Sequence, residues 1–259
     1  MMRTNQSKRF LKSIEILILI LSASAVLMLS CTGKKHYPPG AEGVMPMSEE
    51  DSKELLSTYN SYEKVDIKTD GLLSREGAAD GHIVIHKFAD FNCPYCYEMG
   101  KILQRAQKRW PGRITVYYRQ FPFGSSCNPQ VVDMELNGSC IGTQVALCSA
   151  GKPNFSEIYH GIFDFQASKT PITIESLETL VNARGGNWSE IISCIESGRA
   201  DELLKRDLKD SEMLKIVSTP TIIVNNKRFP RGMPNEDVFM FTLDALVYER
   251  DGKAAFPEL

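Results

Sequence analysis

Two cysteines three residues apart, in Cys93-Pro94-Tyr95-Cys96, are the residues of this 259-residue chain best suited to covalent chemistry. At positions i and i+3 of a helix start, such a pair can close a small disulfide ring. The first cysteine then faces outward at the helix N-terminus, where unsatisfied backbone N–H groups and the positive dipole end favour a thiolate. The thiolate is the nucleophile, so a lowered pKa exposes more reactive species at neutral pH. It also makes Cys93 a better leaving group when a mixed disulfide is resolved. Pro94 suits the first helical turn, where its missing N–H costs nothing. Cys96 lies one turn deeper, where a resolving thiol belongs. A second feature is Ser218-Thr219-Pro220-Thr221, directly before a predicted hairpin strand. X–Pro bonds are the usual place for a cis peptide, which marks a tightly specified backbone.

Rival chemistry is weaker. A structural zinc site needs four ligands, usually from a second Cys-x-x-Cys or a His pair. There is no second Cys-x-x-Cys, and His82 and His86 sit four apart on a predicted strand, about 13 Å by strand rise. Neither metal nor cofactor is expected. His36 and His160 are isolated and read as surface residues. Tyr117, Tyr118, Phe121 and Phe123 read as core or site rim, and the charged residues from Asp201 to Glu212 as a solvated helix face.

The elements around the motif follow from periodicity. His82–Ala89 is rich in β-branched residues and predicts a strand buried on both faces. After it, Cys96, Met99, Leu103, Ala106 and Trp110 form a one-faced stripe at helical spacing. Pro111-Gly112 ends that helix, and Arg113–Phe121 predicts a strand parallel to the first. The stretch 125–215 reads as five helices: 139–150, 154–165, a third capped by Thr173 and running through Asn182, a fourth opened by Asn187 with Glu190 three residues on, and 200–216. Thr221–Val224, a turn at Asn225-Asn226 and a return strand Lys227–Phe229 predict a hairpin. A last helix is expected from Glu236 to Arg250. Upstream, a short helix capped by Ser48 and a peripheral strand at 62–67 are expected, with Gly71–Gly81 rich in turns.

Composition bounds the partners. The chain is 42% hydrophobic and 24% charged with a formal net charge of −2. That is enough for one sizeable core, and nothing basic enough for nucleic acid. Arg3, Lys8, Arg9 and Lys12 head an apolar run from Ile16 to Leu29, shorter than the roughly 20 residues of a spanning helix and fitting a signal segment. Met28-Leu29-Ser30-Cys31 resembles a bacterial lipobox, which implies lipidation of Cys31; the other reading is an uncleaved anchor helix. Either way the rest of the chain is expected outside the cytoplasm, periplasmic and membrane-anchored. Without residues 1–30, which hold those four basic groups and Glu15, the chain stands at −5. Seven cysteines suit that compartment. With Cys31, Cys93 and Cys96 set apart, Cys127, Cys140, Cys148 and Cys194 remain, and sequence alone permits three pairings.

Phe88-Ala89-Asp90-Phe91-Asn92-Cys93-Pro94-Tyr95-Cys96, Arg119-Gln120-Phe121-Pro122, Ser218-Thr219-Pro220-Thr221 with Asn225, Ala146-Leu147-Cys148, and Ile195-Glu196-Ser197-Gly198 beside Cys194 together resemble the DsbA-like branch of the thioredoxin superfamily, over about residues 78–252. The resemblance implies an α/β thioredoxin fold with an inserted all-helical subdomain. Its domain plan is a signal peptide at 1–30, a tether and N-terminal extension at 31–77, the thioredoxin-fold domain at 78–124 and 216–252, and the helical insertion at 125–215. It implies Cys93 as nucleophile, Cys96 as resolving thiol, and a cis Pro220 facing them. Pro220 and Thr219 would contact substrate with Pro94 and Tyr95, through a strand-like backbone edge. It favours the pairings Cys127–Cys140 and Cys148–Cys194. One position departs from the family pattern: Lys87 stands six residues before Cys93, where many relatives carry a buried carboxylate. Lys87 is a candidate pKa modulator if it lies beside the site. Otherwise it snorkels outward or is simply exposed. The activity implied is protein thiol–disulfide exchange on exported polypeptides, with reoxidation by a DsbB-like or vitamin K epoxide reductase-like membrane partner. Isomerase or reductase activity, or holdase-like client binding, are the alternatives.

Overall fold

The computed structural model describes residues 49–252. The expected signal segment, the lipobox reading of Cys31, the expected tether and the Ser48 cap lie outside the described residues. From there the chain forms α1 (Glu49–Ser61), β1 (Glu63–Lys64), β2 (Arg75–Gly77), β3 (Ile83–Ala89), α2 (Pro94–Arg109) and β4 (Ile114–Gln120). Five helices follow: α3 (Ser139–Ser149), α4 (Phe155–Ser168), α5 (Ile174–Ala183), α6 (Trp188–Glu196) and α7 (Arg199–Met213). Then come β5 (Thr221–Val224), β6 (Lys227–Arg228) and α8 (Glu236–Asp251). This is a thioredoxin-like α/β fold with helices inserted between its two halves.

The six strands lie in the order β1-β6-β5-β3-β4-β2. β3 and β4 run parallel, as two strands joined by a helix must when they sit side by side, and the other pairs are antiparallel. Central β3 is buried almost throughout. Its alternation sends Ile83, Ile85 and Lys87 to one face and His86 and Phe88 to the other. The first face carries the larger core, with Met99, Leu103 and Ala106 of α2, Tyr159 and Phe163 of α4, and Phe239 and Leu243 of α8. The second face packs Phe88, Phe121 and Ile223 against Leu204 and Leu208 of α7. Asn225 and Asn226 both adopt positive φ, 43° and 63°, which is what a two-residue hairpin turn between β5 and β6 requires.

Local chemistry sets the helix starts. Thr173 accepts from the Ser176 N–H, and the Ser176 hydroxyl accepts from the Thr173 N–H, a reciprocal cap on α5. The Asn187 side chain accepts from the Glu190 N–H at the start of α6. Cys127 is bonded to Cys140 and Cys148 to Cys194, across 13 and 46 residues of chain. They join the loop after β4 to α3, and α3 to α6.

The short helix expected after residue 48 is present as α1, 13 residues long, and it anchors through Tyr59, whose hydroxyl donates to the Val224 carbonyl at 2.8 Å. Several expectations need correction. β1 is only two residues, although Val65 and Ile67 bury behind it. β2 arises inside the turn-rich stretch, paired antiparallel with β4. Three residues, Arg-Glu-Gly, carry no alternation that sequence reading could detect; the strand exists because β4 offers it an unpaired edge. His160 is not at the surface but half-buried against Glu76 and Tyr118. Asp207 leaves the solvated face of α7 and is buried against Arg119.

Candidate active site

Cys93 is the N-cap residue of α2, in extended conformation, and Pro94 opens the first turn. The carbonyl of Cys93 accepts from the N–H groups of Cys96 (3.0 Å) and Tyr97 (3.2 Å), so the helix begins at Cys93 itself. Cys93 and Cys96 both carry free thiols. Cys93 is 8% exposed and Cys96 fully buried, while Tyr95 between them stands 62% exposed. Pro94 and Tyr95 thus form an open rim over a nearly covered pair.

The Thr219–Pro220 peptide is cis. It lies against the pair, with the Cys93 thiol 3.5 Å from the Thr219 carbonyl. The Thr219 hydroxyl is buried beside the pair. Residues 93 and 219, 126 apart in sequence, meet because β3 and β5 are neighbours, with Phe88 opposite Thr221.

Electrostatics separate the two thiols. Cys93 is lowered to about 6: the hydrogen bond from the Cys96 thiol does most, and the Thr219 hydroxyl and the Cys96 backbone N–H add to it. Burial and the Asp90 carboxylate oppose this. Cys96 is raised well above the ordinary thiol value, first by burial and then by its hydrogen bond to Cys93. One member of the pair is therefore ionised near neutral pH and the other holds its proton.

Lys87 lies on β3 with its ammonium group fully buried, so neither the snorkelling nor the exposed reading holds. Its amine faces the rings of Phe163 (4.4 Å), Tyr159 (5.5 Å) and Tyr118 (5.6 Å). Burial lowers it to about 8, opposed chiefly by the charges of Cys96, Cys93 and Glu76. Its influence falls on Cys96, which it acts to lower.

Two positioning groups escaped the sequence reading. Asp90 accepts from the N–H groups of Asn92 (2.7 Å) and Phe123 (2.9 Å) and from the Ser139 hydroxyl. It pins the loop before Cys93 to the end of β4 and the start of α3. Gln166 of α4 donates to the carbonyls of Phe91 (2.6 Å) and Cys93 (3.2 Å). Asp90 lay within the resembling motif but carried no mark of its role. Gln166 is about 70 residues away in sequence, and nothing local distinguishes it from other polar helix residues. Cys127, Cys140, Cys148 and Cys194 are all in the helical part. Among the described residues, no three His, Cys, Asp or Glu side chains cluster to hold a metal ion, and no helix is long and apolar enough to cross a membrane.

Comparison with known proteins agrees with this geometry. Residues 74–242 match the family model described as thioredoxin. No curated protein matches the chain. Among solved structures, the thiol-disulfide exchange protein alpha-DsbA2 from Wolbachia pipientis is similar with a TM-score of 0.57 at 17% identity, covering 76% of this chain and 96% of that one. The catalytic domain of Proteus mirabilis ScsC gives 0.55 at 22% identity, covering 76% and 98%. A periplasmic thioredoxin-like protein from Salmonella enterica serovar Typhimurium gives 0.52 at 16%, covering 70% and 99%.

Proposed function

Because this chain belongs to the thioredoxin family, we propose that it is a protein thiol–disulfide oxidoreductase that passes a disulfide from Cys93–Cys96 to exported polypeptides. The observation that carries the reading is the split between the two thiols: an ionised Cys93 at the mouth of α2 beside the Thr219–Pro220 peptide, and a protonated, buried Cys96 beneath it. In the donating direction, a client thiolate attacks Cys93 of the Cys93–Cys96 disulfide. The Cys93–Cys96 bond breaks, Cys96 leaves and takes up a proton. A second client thiolate then attacks the client sulfur of the mixed disulfide, and Cys93 departs as a stable thiolate with both electrons. Thr219, Pro220, Pro94 and Tyr95 form the surface that receives the client, and Lys87 acts as pKa modulator of the buried thiol.

The lowered Cys93 supports donation rather than reduction. A depressed thiol pKa stabilises the reduced form; that stabilisation is fully present above the ordinary value of 9.0 and is lost as pH falls through about 6. A stabilised dithiol makes the disulfide a stronger oxidant. The location is extracytoplasmic in this reading, with Cys31 as lipid anchor. The signal-like N-terminus, the two further disulfides and the periplasmic Salmonella neighbour support it. A quinone-linked membrane enzyme of DsbB-like or vitamin K epoxide reductase-like type is the proposed reoxidant.

The test is the pH dependence of iodoacetamide alkylation of the reduced protein. One thiol per chain reacts, at a rate that rises about tenfold per pH unit and levels off above a midpoint near 6. A midpoint near the ordinary 9.0 would remove the ionised nucleophile and with it this function.

A further inference from the structure

Next to Cys93, the helical insertion and the loop before α2 enclose a cavity of about 290 Å³. That is at the foot of the ~300–1,000 Å³ range of small-molecule pockets, and it leaves room for one long side chain. Asn92, the residue before Cys93, forms one wall, and Gln166, which donates to the Cys93 carbonyl at 3.2 Å, forms another. The Asn92 amide donates to the carbonyl of Asn137, also in the wall, at 3.2 Å. The far side is the link from α4 to α5, with Lys169, Thr170 and Ile172. These walls are held in place. Asn137 belongs to the loop that the Cys127–Cys140 disulfide closes. Ile172 is 9% exposed, and the Ser176 hydroxyl donates to the carbonyl of Pro171 at 2.7 Å. A cavity that needs no rearrangement costs little to fill.

Lys169 is the one charged side chain in the lining. It is exposed and makes no ion pair among the described residues. Its backbone is also costly. With φ 54° and ψ 29°, Lys169 sits in the left-handed region at the C-terminus of α4. Glycine is the usual residue there, because it has no Cβ to clash. Strain of this kind gathers at functional surfaces, and here it places a lysine at the wall of a cavity beside the redox pair.

Resting on the oxidoreductase reading above, we propose that this cavity receives an acidic side chain that flanks the client's reacting cysteine, and that Lys169 selects it by ion pairing. When a client sulfur is bonded to Cys93, the residues one or two positions along the client chain lie about 3–7 Å away. Asn92 adjoins Cys93 and Gln166 touches its carbonyl, so a flanking side chain reaches the cavity between them. A carboxylate that enters gives up part of its water and needs partners in exchange. Lys169 supplies the opposite charge, and the Asn92 amide and the Thr170 hydroxyl are donors beside it. A client lysine or arginine at the same place meets like charge. The cavity therefore ranks clients by the residue beside their cysteine, a preference that the thiol chemistry alone does not contain.

The experiment measures the second-order rate at which dithiol peptides reduce the oxidised protein, by acid quench and mass spectrometry. Each peptide carries Glu, Ala or Lys at one position near its first cysteine, and the position is varied. A flanking charge also alters the peptide's own thiol, so each peptide is compared with itself between protein variants. At the position that reaches the cavity, Lys169→Glu slows the Glu peptide by about fivefold, the upper range for a partly exposed ion pair. It speeds the Lys peptide by a similar factor, and added salt shrinks both changes. Lys169→Gly, which fits the positive φ without strain, slows the Glu peptide more than the Ala peptide. The same charge change at Lys108, in the last turn of α2, leaves the ranking as it was. The proposal is overturned if Lys169→Glu moves the Glu and Lys peptides in the same direction, or neither by more than about 1.5-fold at any position, or if Lys108→Glu has the same effect as Lys169→Glu. If no peptide reduces the unmodified protein, the oxidoreductase reading has failed instead.

Discussion

Replacing Cys93 with serine is expected to abolish disulfide transfer to a reduced, unfolded client while leaving the fold intact. A hydroxyl is not ionised at neutral pH, and an oxygen at this position cannot form the disulfide that is to be donated. Serine can still make the hydrogen bond of this side chain to the Thr219 carbonyl, so circular dichroism and the urea midpoint should change little. The measurement is recovery of client disulfides from oxidised protein, read against the same variant's binding to the unfolded client. Retained binding with transfer lost separates the client surface from the chemistry. Retained transfer would mean that the sulfur at the mouth of α2 is not the one exchanged.

Asp207→Ala should have the largest effect on stability. Arg119 of β4 is fully buried; its Nε donates to Asp207 at 2.5 Å and a second guanidinium nitrogen reaches Asp210. The other oxygen of Asp207 accepts from the Gln120 N–H at 2.8 Å. This cluster fastens α7, the last helix of the insertion, to the centre of the sheet. Removing Asp207 leaves a buried cation with one half-exposed partner and an unpaired amide. Breaking a buried ion pair from one side costs about 3–5 kcal/mol, against a total of about 5–15 kcal/mol for a typical domain. Urea unfolding should show a midpoint lowered accordingly at unchanged slope. The double variant Arg119→Leu with Asp207→Leu should recover part of the loss, because no fully buried charge is then left unpaired, although Asp210 and the Gln120 N–H lose their partners. A loss under about 1 kcal/mol for Asp207→Ala would mean the cluster is not what fastens the insertion.

Much of the site was legible because its logic is local. A helix start at Cys93 is written in Pro94 and in the stripe Cys96-Met99-Leu103-Ala106, and local hydrogen-bond geometry does the rest. The hairpin at Asn225-Asn226 and the caps at Thr173 and Asn187 were legible for the same reason: each depends on a side chain and a backbone group within a few residues. What escaped depends on distant partners. β2 exists through pairing with β4. Asp90 acquires its role from Phe123 and Ser139, and Gln166 from two carbonyls on the far side of the site. Asp207 looked like one more charge on an amphipathic helix until Arg119 was placed against it. Lys87 is the sharpest case: its strand was read correctly, but whether its amine reached water depended on how α2 and α4 close over the sheet.

The most direct measurement is to trap the exchange itself. A Cys96→Ala protein, reduced and mixed with an unfolded client carrying a single disulfide, has no second thiol with which to finish the reaction. A mixed disulfide should therefore accumulate to one client per chain, and peptide mass mapping should place it on Cys93, with Cys127–Cys140 and Cys148–Cys194 still closed. Failure to form any adduct, or an adduct on one of those four cysteines instead, would contradict the assignment of Cys93 as the attacking sulfur.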